Sequence, residues 1–212
     1  LGRAREEWRE LGESITLFER AKKTKEDLSD ERKEIVEENS DIIIRMLGLM
    51  TVVGCNAIAM LEDKARVSFA KYPSESIEKE VLAGEDPHVV MQRHKTIWDS
   101  RKNGKLPPIE IPTPTTPIYG MEPRERWNKL QAGWTEWNKR IYKGEEFTPA
   151  KRFARLTQEW DELEKAVALY NGSRASEEDI AGEAVDVMSG VFGLVASVGN
   201  GNIYDIIEKK IQ

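Results

Sequence analysis

The stretch GEAVDVMSGVFGLVASVG, residues 182–199, sets two acids three residues apart and follows them with an almost unbroken apolar run. On a helix, positions i and i+3 share a face with β-carbons about 5–6 Å apart, so Glu183 and Asp186 stand together. The run that follows has no polar side and predicts a helix enclosed by neighbours. A charge at the mouth of such a helix is costly unless it is paired or coordinated.

The arrangement occurs twice. EENSDIIIRMLGLMTVVG, residues 37–54, aligns with it at a shift of 145, so that Glu38 meets Glu183, Asp41 meets Asp186, and Gly48-Leu49 meets Gly193-Leu194. Upstream of each lies a second acidic pair. EWREL, residues 7–11, aligns with EWDEL, residues 159–163, at a shift of 152, which matches Glu7 with Glu159 and Glu10 with Glu162. Downstream, Glu62 and Lys64 match Glu208 and Lys210. Each end of the chain thus holds Glu-x-x-Glu on one predicted helix, Glu-x-x-Asp on the next, and a lysine beyond. A repeat of this length is an architectural signal.

Glu-x-x-Glu alone is common on solvated helix faces. Two such pairs on packed antiparallel helices are more specific, because they bring four carboxylates into one volume where they repel and raise one another's pKa. A hard divalent cation resolves that conflict. Mg²⁺, with Mn²⁺ as a substitute, takes oxygen ligands and keeps positions for water and phosphate. The expected ligands are Glu159, Glu162, Glu183 and Asp186 in the second repeat, and Glu7, Glu10, Glu38 and Asp41 in the first.

The remaining sequence bounds the alternatives. The 212 residues are 39% hydrophobic and 33% charged, with a net charge of −6. That balance argues against stable nucleic-acid binding, which needs basic surface. Cys55 is the only cysteine, so no intrachain disulfide forms and a cytoplasmic setting is expected. No membrane span is expected; residues 41–61 come nearest but carry Asp41 and Arg45. The opening LGRAREEWRE lacks a signal peptide's apolar core and reads as the interior of a helix with its start trimmed.

Apolar spacing predicts helices over residues 3–22 and about 31–56, the latter capped by Ser29 or Asp30 and enclosed on several sides in its second half. Another helix reaches Ala70, and one or two more cover 75–102 with a break at GEDP. Lys105–Pro123 contains six prolines and reads as an extended connector. Four helices follow: one with Trp127, Trp134 and Trp137 along a side, one opened by Thr148-Pro149, one capped by Ser176, and a short one from about Asn202. The expected fold is all-α, a helical bundle of two repeats packed as a pseudo-dimer, with divisions at 1–72, 73–124 and 125–212. His88 and His94 are assigned no role, and the absence of Glu-x-x-His disfavours a carboxylate–histidine di-iron bundle.

LTQEWDELEKAV, a short loop and GEAVDVMSGVFG together resemble the all-α NTP pyrophosphatases, which include MazG-like proteins and dimeric dUTPases. The resemblance is best over about residues 125–212 and recurs over about 1–72, where the leading helix has no counterpart. It implies Mg²⁺-dependent hydrolysis of a nucleoside triphosphate between the α and β phosphates, giving the monophosphate and pyrophosphate. It also implies catalytic roles for Glu159, Glu162, Glu183 and Asp186, and substrate contacts from Lys209, Lys210, Asn202 and Lys64. Trp127, Asn128 and Gln131 on the leading helix are candidates for the base, although tryptophans at helical spacing more often build core. A homo-oligomer is compatible with this reading. The alternative is a regulatory protein that binds nucleotide or metal without turnover.

Overall fold

The computed structural model describes residues 2–25, 27–108, 121–142, 147–171, 174–199 and 201–211. Among them all regular structure is helical, in nine helices: α1 (Gly2–Thr24), α2 (Ser29–Val52), α3 (Ala57–Lys71), α4 (Ser74–Leu82), α5 (Pro87–Lys102), α6 (Pro123–Ile141), α7 (Pro149–Asn171), α8 (Glu177–Val198) and α9 (Ile203–Ile211). The expected all-α bundle is what the chain forms. Residues 109–120 of the proline-rich connector lie outside the described residues.

The chain divides into two compact units. One comprises Leu1–Leu61 with Glu145–Gln212, and the other Glu62–Gly144. The first unit therefore joins the two ends of the sequence, and α6, most of which falls in the expected 125–212 division, belongs to the other unit.

In the first unit α1 packs on α2 and α7 on α8, each an antiparallel pair within one repeat. Equivalent helices also meet, α1 with α7 and α2 with α8. A surface that pairs with its own counterpart is the mark of an isologous, two-fold interface. The last helix crosses between repeats, since α9 packs on α2. Gly201 makes that crossing possible: a β-carbon there would lie 2.6 Å from Val36 Cγ1 and 2.7 Å from Cγ2.

Burial follows from composition. α8 is enclosed on nearly all sides, with Ala184, Val187, Met188, Val191, Phe192 and Leu194 fully buried. Burying side chains of the Val, Leu and Phe class contributes about 1.5–3 kcal/mol each, which makes this helix the centre of the core. It is also long and apolar enough by composition to cross a membrane, a property the sequence reading did not assign to it, and 67% of its most apolar window is buried in the protein. The second half of α2 departs from the expected all-round enclosure. Ile42, Ile43, Met46 and Met50 form one buried stripe, whereas Val52 is 83% exposed.

Caps explain the helix starts. Ser176 and Asp179 form a reciprocal capping box at α8, with Asp179 N donating to Ser176 Oγ and Ser176 N to Asp179 Oδ2. Lys151 N donates to Thr148 Oγ1 at the start of α7. At α2 neither Ser29 nor Asp30 is the cap. Asp27 accepts from both Ser29 N and Ser29 Oγ, at 3.1 and 2.9 Å, which places Ser29 inside the first turn.

The second unit contains most of α3 with α4, α5 and α6. Trp134 meets Phe69 edge-on at 5.1 Å and Trp137 at 5.5 Å. Trp137 Nε1 donates to the Tyr72 carbonyl at 2.9 Å. Arg126 grips Glu62 through two bonds of 2.9 and 2.6 Å, tying α6 to α3. His94 pairs with Glu80 at 3.0 Å.

Candidate metal centres

Both repeats gather carboxylates. In the second, one oxygen each from Glu159 on α7 and Glu183 and Asp186 on α8 lie within 4.8 Å of one another. In the first, Glu7 and Glu10 on α1 and Glu38 on α2 do the same. All six residues are half-buried. The two groups differ in membership. Glu162 is exposed and stands outside the second group, contrary to the expectation of four converging ligands, because the third residue after Glu159 lies further round α7 toward solvent. Asp41 is outside the first group because it turns to Lys210, whose Nζ donates to Asp41 Oδ2 at 2.5 Å and to the Glu37 carbonyl at 3.4 Å.

Close helix packing sets the second group. A β-carbon at Gly190, one turn beyond Asp186, would lie 2.6 Å from Leu156 Cδ1, and Leu156 is almost one turn before Glu159. The missing side chain on α8 lets α7 approach where their acids face each other. At the equivalent positions the first repeat has Ala4 and Arg45, so the small residue has moved to the other helix and the space on α2 carries a cation.

That cation is used. Arg45 donates to Glu7 Oε1 through Nη2 at 2.7 Å and Nε at 3.3 Å. Arg9 donates to Glu10 Oε1 at 3.3 Å and to Glu13 Oε1 at 2.5 Å. Glu38 is left in the middle. Its Oε2 is buried and accepts no hydrogen bond from the described residues. Burial, followed by the charges of Asp41, Glu10 and Glu7, pushes its carboxyl up to about 7, against the opposing pull of Lys210. The other three predicted acids of the first repeat are thus close enough to be felt at Glu38.

Tests of fit to a hard divalent ion favour the donor set in both repeats: oxygen-only ligands from adjacent helices, at separations one small ion can span. In the first repeat an orphaned acceptor adds to this, although basic side chains already answer three of its acids.

The other predicted contacts are dispersed. Lys210 serves the first repeat's Asp41, not the carboxylates of its own repeat. Lys209 is exposed. Asn202 caps α9, accepting from Tyr204 N at 3.0 Å. Lys64, Trp127, Asn128 and Gln131 all belong to the other compact unit. Trp127 is 2% exposed, which makes it core and not a stacking platform for a base. The sequence reading missed Arg45 and Arg9, and the signal was present: both interrupt the repeat, standing where the second copy has Gly190 and Asp161.

The chain matches no protein-family model, no curated protein and no solved structure.

Proposed function

We propose that the protein is a Mg²⁺-dependent nucleoside triphosphate pyrophosphohydrolase of the all-α type, working at Glu159, Glu183 and Asp186. One observation carries the reading. Oxygens of these three acids, from two helices, converge within 4.8 Å in the repeat where the sequence resemblance to MazG-like and dUTPase-like enzymes is fullest. Bound there, a divalent ion would polarise phosphate oxygens and lower the pKa of a coordinated water.

The protein's own part is positional. Glu183 and Asp186, one turn apart on the most deeply buried helix, are fixed by the packing of Ala184, Val187 and Met188. Glu159 is fixed by its neighbours Leu156, Trp160 and Leu163, each at most 4% exposed. Acids mounted on rigid, dry helices lose little freedom on taking up a cation. Glu162, exposed beside Glu159, is open to water and is assigned no ligand role.

Purified protein should be incubated with each common NTP and dNTP, with and without Mg²⁺, and the products separated. Equimolar monophosphate and pyrophosphate, abolished by chelation and by Asp186→Asn, is the expected result. Nucleotide binding that needs Mg²⁺ but yields no product would favour the regulatory alternative. Neither binding nor product would defeat both.

A further inference from the structure

The two carboxylate clusters occupy equivalent places in the repeats, yet the residues facing them are not equivalent. In the first repeat each acid but one meets a cation: Glu7 meets Arg45 at 2.7 Å, Glu10 meets Arg9 at 3.3 Å, and Asp41 meets Lys210 at 2.5 Å. In the second repeat the counterpart of Arg45 is Gly190 and the counterpart of Arg9 is Asp161. An arginine is charged at any pH the protein meets, so Arg45 neutralises Glu7 permanently.

We propose that the first cluster is a self-neutralised counterpart of the second, in which Arg45 and Lys210, assisted by Arg9, take the place of a divalent ion. The chain then carries one ion-holding centre, not two. The proposal rests on reading the second cluster as that centre.

Two features favour the internal cations over an ion. Arg45 stands on α2 one turn beyond Asp41, so its charge is tethered beside the acids. The Glu7 carboxylate it holds is only 15% exposed. Lys210 arrives on α9, whose approach to α2 is fixed by the Gly201 contact with Val36. Its ammonium reaches both the Asp41 carboxylate and the backbone carbonyl of Glu37. The ion pair therefore straps the end of the second repeat onto the first, a structural task that an exchangeable metal would perform less permanently. Arg9, at 59% side-chain exposure, is the outermost and weakest partner.

The test counts Mn²⁺ bound to the full chain without nucleotide, by electron paramagnetic resonance. Wild type should bind about one ion, Glu183→Gln should lose it, and Arg45→Met/Lys210→Met should gain a further ion that Glu38→Gln removes. An ion retained by Glu183→Gln and lost on adding Glu38→Gln would overturn the proposal, because the first cluster would be taking metal despite its cations. A folded double variant that gains no ion would overturn it too. If wild type binds none and the double variant binds one, the proposal stands while the reading of the second cluster fails. Should the double variant not fold, Lys210→Met alone is compared in the Glu183→Gln background by thermal shift. A Tm raised by Mn²⁺ only when Lys210 is absent upholds the proposal, and no shift overturns it.

Discussion

Trp8 and Trp160 stack on each other, with ring centroids 4.6 Å apart and planes inclined by 19°. They occupy the same position in the two repeats, Glu-Trp-x-Glu-Leu in each. A residue that touches its own counterpart lies on the axis relating the copies, so this pair marks the approximate two-fold of the first compact unit. Phe153 extends the stack on Trp8 at 5.1 Å. Its counterpart in sequence by the same shift is Leu1, which is not aromatic.

The stack should be a stability hot spot. Trp160 is 4% exposed, and Trp160→Ala should cost about 3–5 kcal/mol as a large-to-small core change. Trp8 is less enclosed and should cost less. In a double-mutant cycle by urea denaturation, the coupling should be about 0.5–1.5 kcal/mol, the increment expected of an aromatic pair beyond its buried area. Additive losses would mean that the rings are neighbours without being partners.

Repeat and fold class were legible in the sequence because both are written in patterns longer than any single contact. The apolar run after Asp186 reads as a helix enclosed by neighbours, and its match after Asp41 implied a second copy. The ligand geometry was legible only in part. Spacing placed Glu159 and Glu162 near one face but could not tell which lay further round toward solvent, since one residue turns a helix through 100° and the partner's position decides. Charge compensation was hidden for a different reason. Lys210 reaches Asp41 across 169 positions of sequence, and no local pattern announces such a pair. Arg45 was visible, but as an interruption of an apolar run and not as a partner for Glu7.

Glu38 gives the protein a pH signature. Its folded pKa, about 7, lies above the ordinary value of 4.5, so between those limits the native state holds a proton that the unfolded chain releases. Stability then falls as pH rises, and the contribution is complete below 4.5 and gone above 7. Asp27, Asp179 and Glu85 are shifted downward and act on the acid side of this window. In chelator-treated protein, Tm should decline from pH 5 to pH 8, and Glu38→Gln should flatten that decline. An unchanged slope in the variant would place the titration elsewhere.

Gly201→Ala should separate α9 from α2. The added methyl would meet Val36 Cγ1, Cγ2 and Cβ at 2.6, 2.7 and 3.2 Å. Turning the valine exchanges one blocking methyl for the other, and β-branched side chains are stiff at χ1. Overpacking of this kind costs about 1–3 kcal/mol. The distinguishing measurement is hydrogen exchange. Protection should fall along α9 and at the α2 turn around Glu37, where Lys210 docks, while α7 keeps its protection.

The sharpest functional contrast lies within one helix. One oxygen of Glu159 lies within 4.8 Å of an oxygen each of Glu183 and Asp186, whereas Glu162, three residues on, is exposed. If catalysis needs the converging group, Glu159→Gln should reduce pyrophosphate release by more than the ~10–100-fold typical of losing a residue that merely supports a metal ligand. Glu162→Gln, removing a charge that faces water, should leave the rate within a few-fold. Both substitutions keep shape and helix propensity, so circular dichroism and Tm should be near wild type and the difference should be chemical. Titrating Mg²⁺ separates the roles further: a ligand variant requires more metal for half-maximal rate, while a surface variant does not. Equal losses in the two variants would show that the working geometry recruits Glu162 from solvent, and a three-acid centre would then be the wrong description of the site.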